Sequence, residues 1–184
     1  MKLWLFGLLL LMPVAHANEI KIEVSKEENN TYVFHMQFVA QAAANRVHAI
    51  ITDYNHLARL NPLIKQSRIL PHDVEGVTRV ELITEGCMFF FCKKIVRVEE
   101  AVEHDDLSIK TTFIPELSDF KSGQTQWTFT SVGERTVVNY HASMIPDFWL
   151  PPFVGPYMLK KQLRSQLHYT ANKINSLLLS HVSE

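Results

Sequence analysis

The last quarter of the chain constrains the fold most. Leu159, Leu163, Leu167, Ala171, Ile174 and Leu178 recur at spacings of four, four, four, three and four. Lys160, Lys161, Arg164 and Lys173 fall on the opposite side. This periodicity predicts a helix over Tyr157–Leu179 with one continuous apolar stripe. A stripe that long has to be buried, so the preceding residues must offer it an apolar face.

Strands offer that face. Ile20, Ile22 and Val24 alternate with polar residues, and Glu27–Asn30 reads as a turn. Tyr32, Phe34, Met36 and Phe38 then alternate again, so the two runs predict a β-hairpin. The period changes for Ala43, Val47, Ile50, Ile51 and Tyr54, which follow helical spacing. A second short helix runs from Asn55 through Leu57 and Leu60 to the stop at Asn61-Pro62. Strands are then predicted at Lys65–Leu70, Val77–Glu85, Cys92–Val102, Leu107–Ile114, Thr125–Thr130 and Thr136–Met144, with breaks at His72–Gly76, His104–Asp106, Glu116–Gly123 and Gly133–Arg135. A meander of strands closed by one helix implies an α+β layer, the helix packed on one face of a curved antiparallel sheet. That inner face would carry Val80, Leu82, Ile109, Thr111, Phe113, Trp127, Phe129, Val138, Tyr140, Ala142 and Met144.

The N-terminus bears on location. Lys2 precedes an apolar run from Leu3 to Met12, Pro13 breaks it, and Ala15-His16-Ala17 has the A-x-A form of a cleavage site. This reads as a secretory signal peptide cleaved after Ala17, because a membrane-spanning helix needs roughly twenty apolar residues. The expected mature chain is a single domain over 18–184, long enough for a substantial core. With Lys2 gone, 17 basic residues face 19 acidic ones. No basic excess predicts nucleic-acid binding. Export places the chain in an oxidising compartment, expected to be a bacterial periplasm.

Two strings carry a resemblance. IITDYNHLARLNPLIKQSRIL (Ile50–Leu70) matches a helix-helix-strand entry, and YHASMIPDFWLPPFVGP (Tyr140–Pro156) matches a last strand and its crossover into a terminal helix. With the element order, they resemble the START-like or SRPBCC superfamily, particularly its bacterial polyketide cyclase/dehydrase and coenzyme-Q-binding branch. The resemblance covers nearly all of the mature chain and implies the helix-grip fold, with a cavity between concave sheet and terminal helix. From the alternation of the strands and the stripe of the helix, the expected lining is Val80, Leu82, Ile109, Thr111, Phe113, Trp127, Phe129, Tyr140, Met144, Leu163 and Leu167. The resemblance does not identify the ligand, since this fold hosts carriers and enzymes alike.

Catalytic signals are sparse. The chain has no G-x-S-x-G elbow, no H-E-x-x-H and no phosphate-binding glycine loop. The eight histidines after the signal peptide include no pair at i, i+2 or i, i+4, so neither metal nor cofactor is expected. His35 and His141 are expected on outer strand faces. Asp119 and Asp147 could work as an acid/base pair if burial split their pKa values. As loop residues, they are also in the usual place for side chains that bond backbone N–H groups.

Two apolar loops remain. Pro146–Pro156 crowds Phe148, Trp149, Leu150, Phe153 and Val154 among four prolines. Burying a large apolar side chain is worth roughly 1.5–3 kcal/mol, so these residues should pack on the domain, line a cavity mouth or enter a membrane surface. GCMFFFCKK (Gly86–Lys94) holds the only two cysteines, Cys87 and Cys92, around Met88, Phe89, Phe90 and Phe91. The flanking alternation suggests a hairpin with a four-residue loop and a disulfide across its base. Four-ligand zinc and C-x-x-C redox chemistry fit the pair poorly, and free buried thiols are the remaining alternative.

The expected function is binding or carriage of a hydrophobic small molecule such as a lipid, fatty acid or quinone-like compound. The two loops, Met88–Phe91 and Phe148–Val154, would form the cavity mouth or make transient contact with a membrane surface; the direction of the three phenylalanines is left open between cavity, membrane and partner. A cyclase, dehydratase or isomerase using the same cavity is the alternative, and an interaction module docking through its apolar loops is a third. Shifted ionisable groups in the cavity would favour the enzyme, whereas a carrier's cavity should be nearly free of them.

Overall fold

The computed structural model describes residues 20–88, 91–149 and 154–180. Eight strands form one antiparallel sheet: β1 (Lys21–Lys26), β2 (Tyr32–Ala40), β3 (Ile64–Leu70), β4 (Val77–Met88), β5 (Phe91–Glu103), β6 (Ile109–Phe113), β7 (Phe120–Val132) and β8 (Arg135–Pro146). Their spatial order is β1-β2-β8-β7-β6-β5-β4-β3. Among the described residues two α-helices accompany the sheet, α1 (Ala44–Ile51) and the long α2 (Val154–Ser180). This is the helix-grip arrangement, a curved sheet closed around the terminal helix.

Alternation explains the sheet. In β2, Tyr32, Phe34, Met36, Phe38 and Ala40 are all buried while His35 and Gln37 are exposed. Register carries that inner row onto β8, where Phe38 pairs with Val138, Met36 with Tyr140, Phe34 with Ala142 and Tyr32 with Met144. One half of α2 closes tightly over this face. Ala171 and Ile174 are wholly buried and Leu178 nearly so, within the cluster that includes Met36, Phe38, Val47 and Val138.

Several elements depart from the periodicity. The segment after α1 is a kinked 3-10 turn over Tyr54–Arg59 rather than a second α-helix. β7 begins at Phe120, inside the stretch expected to be a break. The cause lies in β5, which runs past the end of β6 and needs other partners. Val96 N–H donates to Asp119 Oδ2 (2.8 Å), Val98 N–H to Ser118 Oγ (2.9 Å), and Asp119 N–H to the Val96 carbonyl (2.8 Å). Ser118-Asp119 thus completes the ladder and delivers Phe120 to the core, 8% exposed. α2 also starts earlier than expected, at Val154, which puts Pro156 in its first turn, where no intrahelical N–H is needed.

Gly123 leaves room for a neighbouring ring. A Cβ there would lie 2.1 Å from the Phe113 ring, which also packs against Phe120. Gly123→Ala should therefore displace that ring and lose about 1–3 kcal/mol. Urea denaturation checks this, and an unchanged midpoint would show that the ring moves aside freely.

Candidate functional site

The concave face is built from registered rows. Ile109, Trp127, Tyr140 and Met36 form one, and Ala101, Thr111, Thr125, Ala142 and Phe34 form the next. Val80 and Leu82, fully buried, continue the face on β4 opposite Glu99 and Arg97. Phe113 and Met144 lie toward the end covered by the first half of α2, in the cluster with Leu159, Leu163 and Leu167.

Burial along α2 is uneven. Leu159, Leu163 and Leu167 are only half-buried, unlike the three stripe residues that follow. Trp127, Phe129 and Tyr140 are half-buried too, although they sit on inner strands and face the helix. The Tyr140 hydroxyl is held so far from bulk water that its pKa is pushed up to about 12. Burial is the main cause; the nearby Arg97 charge opposes the rise and Glu99 adds to it. Tyr140, on the concave face, nevertheless keeps some accessible surface. Its packing against Trp127, centroids 4.3 Å apart, makes one aromatic wall.

A polar strip crosses this apolar surface. Arg97 Nε lies 3.1 Å from Glu99 Oε2, close enough for an ion pair but without hydrogen-bond direction. Thr111 Oγ1 donates to Glu99 Oε2 at 3.3 Å, and the Thr111 and Thr125 hydroxyls are 2.9 Å apart. The Arg97 guanidinium also sits 5.1 Å above the Phe113 ring. Glu99 keeps only 6% of its side chain exposed and Arg97 25%, so the pair presents its cationic partner to the space.

A second polar group closes the α1 end. Tyr54 donates its hydroxyl hydrogen to Glu103 Oε1 (3.2 Å), and His48 Nε2 lies 3.3 Å from Glu103 Oε2. Burial, then the Glu103 charge and hydrogen bond, holds the Tyr54 hydroxyl well above the usual tyrosine range. The His48 ring meets the inward-facing Phe129 edge-on at 5.9 Å.

Asp119 and Asp147 form no acid/base pair. Their carboxylates point to different lysines, Lys93 and Lys121, each 3.6 Å away, and Asp147 is exposed. Among the described residues, no three metal-ligating side chains converge. A pocket of about 280 Å³ opens outside the cavity between Arg46, Ala49, Ile50, Arg59 and Leu178. Both of its guanidinium groups are already engaged, Arg46 with the Leu178 carbonyl and Arg59 with Asp53.

The apolar loops separate. Phe148 is half-buried against Phe120 and lies under Lys93 Nζ, 4.9 Å from its ring centroid. Trp149 is 78% exposed and Tyr157 70%, so packing on the domain does not account for them. Phe153 and Leu150 lie outside the described residues, as do Phe89 and Phe90. The backbone ladder continues past Cys87, opposite Cys92, to pair Met88 with Phe91. Two residues therefore connect the strands, not the expected four. Nothing is described of the Cys87, Met88 and Phe91 side chains.

Sequence reasoning missed Arg97, Glu99, Glu103, His48 and Tyr54. β5 hides its inward residues because Val98 and Glu99 are buried on opposite faces, which erases the alternation. Counting by twos in both directions from Ala101 would have found Arg97, Glu99 and Glu103; His48 and Tyr54 lie outside β5. Replacing Arg97 with Met should cost about 3 kcal/mol, since it leaves Glu99 buried without its cation. Glu99→Gln in the same background should recover part of that loss in urea denaturation. No recovery would show that Arg97 acts through packing alone.

Residues 31–174 match the family described as polyketide cyclase/dehydrase and lipid transport. No curated protein sequence matches significantly. Among solved structures, a START superfamily protein from Mycobacterium smegmatis is similar at TM-score 0.64 and 19% identity, covering 80% of this chain and 97% of its own. A STAR-related lipid transfer protein from Xanthomonas axonopodis matches at TM-score 0.60 and 15% identity, covering 85% and 98%. The Zhui aromatase/cyclase from Streptomyces sp. R1128 matches at 0.62 and 13%, covering 83% and 96%.

Proposed function

Because the chain belongs to the polyketide cyclase/dehydrase and lipid transport family, we propose that it is an exported carrier or sensor of an amphipathic hydrophobic molecule. A lipid, fatty acid or quinone-like compound would lie between the concave sheet and the first half of α2. The observation that carries this reading is the incomplete burial of Tyr140, Trp127, Leu163 and Leu167 where sheet and helix face each other, with the Tyr140 hydroxyl held away from bulk water. Val80, Leu82, Ile109, Phe113, Phe129 and Met144 supply apolar wall. Arg97, Thr111, Thr125 and Tyr140 suit a polar or anionic headgroup, because a cation already balanced by Glu99 can be buried and still accept an acceptor. The expectation that a carrier's cavity would be nearly free of ionisable groups is not met, since Arg97, Glu99 and Glu103 lie on the concave face; a headgroup-binding role for this strip is what reconciles them with carriage.

The mouth would lie at the N-terminal end of α2. Trp149, Tyr157 and the 48%-exposed Val154 lie close in the chain to Lys160 and Lys161, a combination suited to transient contact with an anionic membrane surface. The β4–β5 hairpin end, with Met88–Phe91, and Phe153 belong to the same proposal. Directly opposed residues of an antiparallel ladder have Cα atoms about 4.5–5.5 Å apart, within the range a disulfide needs. With export to the periplasm, this supports a Cys87–Cys92 bond that braces the hairpin end.

One experiment tests these points together. Mass spectrometry of protein released from the periplasm should give an N-terminus at Asn18, cysteines resistant to alkylation without reductant, and, under native conditions, a co-purified amphiphile. A clean apo mass under gentle conditions would sink the carrier reading, retention in the cytoplasm would sink export, and alkylated thiols would sink the disulfide.

The His48–Glu103–Tyr54 cluster favours a second reading, a cyclase-, dehydratase- or isomerase-type enzyme with His48 as acid/base. The extracted amphiphile would then change mass or retention on incubation with the protein, and His48→Gln should abolish the change while leaving binding intact. An unaltered compound after prolonged incubation counts against catalysis.

A further inference from the structure

The outer face of the sheet carries a feature that the cavity does not use. His35 on β2 and His141 on β8 are direct register partners, 106 residues apart in sequence. His141 Nδ1 lies 3.0 Å from His35 Nε2 and 3.3 Å from His35 Nδ1, with ring centroids 4.3 Å apart and planes tilted by 54°. We propose that His35 and His141 form a two-imidazole binding site for a divalent late first-row transition-metal ion such as Zn(II) or Cu(II).

Distance carries the argument first. Two nitrogens each about 2.1 Å from one ion, at ligand angles of 90–109°, are about 3.0–3.4 Å apart. The observed separations fall in that interval. The pair is also held in place, because β2 lies between β1 and β8, and β8 between β2 and β7. The two backbones are already paired, so only the rings need ordering. His141 Nδ1 is nearly equidistant from both nitrogens of His35, so the His35 ring has to turn until its lone pair and that of His141 meet at an ion lying off the N···N line.

The surroundings favour a cation. Glu23 is the β1 register partner of His35, and the Glu27 charge reaches His141. On the other side, Gln126 of β7 pairs with His141. Gln37 and Asn139, the next outward pair, are bonded to each other at 2.8 Å and leave the imidazoles free of competition from that row. Val33 and Ser143 form the row beyond. No lysine or arginine is the register partner of either histidine. Imidazole nitrogen selects Zn, Cu or Ni over Mg or Ca. Because no three protein ligands converge among the described residues, water must complete the coordination, Glu23 contributes charge rather than a ligand, and the affinity should be moderate.

The test is titration calorimetry with ZnCl₂ and, separately, CuCl₂ on protein purified without a histidine tag. One saturable ion per chain is expected. His35→Gln and His141→Gln should each weaken it at least tenfold, whereas His168→Gln on α2 should not. Glu23→Gln, which leaves both imidazoles in place, should weaken it by a smaller factor. Circular dichroism establishes that each variant is folded. Absence of saturable binding at millimolar metal, or equal affinity in the wild type and both imidazole variants, overturns the proposal.

Discussion

The grip of the sheet on α2 is the interaction on which the rest of the structure depends. Its stripe is one continuous feature of sequence, but it meets two environments. Ala171, Ile174 and Leu178 are locked against β2, β8 and α1. Leu159, Leu163 and Leu167 cover Phe113, Ala142 and Met144 less completely. Tight packing at one end lets the helix span a less filled region at the other without losing its place. A protein interior normally fills to crystal-like density, so incomplete filling confined to one half of a helix points to a binding space.

The polar groups inside are held by the same architecture. Arg97 and Glu99 project from β5, which β6 covers only over Glu99–Glu103. Ser118 and Asp119 take over the pairing where β6 ends. A charged pair can thus sit on the concave face with its strand fully bonded on both sides. Two carboxylates on this face have different settings: Glu99 is tied to Arg97 and Thr111, and Glu103 to Tyr54 and His48. The former suits recognition of a headgroup and the latter suits proton transfer, so one fold can serve either role.

The loops divide by the same physical criterion. Phe148 finds Phe120 and Lys93 and is drawn in, whereas Trp149 and Tyr157 find no such surface. Both stay exposed, close in the chain to Lys160 and Lys161. The opposite sheet face is polar and open, and its histidine pair arises from strand pairing alone.

Periodicity by itself determined the strand content, the inward rows of β2, β4 and β8, and the terminal helix with its stripe. Period two and period 3.6 leave an unmistakable trace when one side of an element is buried and the other wet. The resemblance in Ile50–Leu70 and Tyr140–Pro156 added the fold and the general idea of a cavity. Only the tertiary structure decided which residues meet. His35 and His141, Thr111 and Thr125, and Tyr54 and Glu103 are brought together by register and by the placement of α1, which no local spacing encodes. β5 stayed illegible because both of its faces are covered at Val98 and Glu99. Ser118-Asp119 looked like a loop because it bonds another strand through side chains. Local sequence reports which side of an element is apolar; the long-range pairing of strands decides what that side touches.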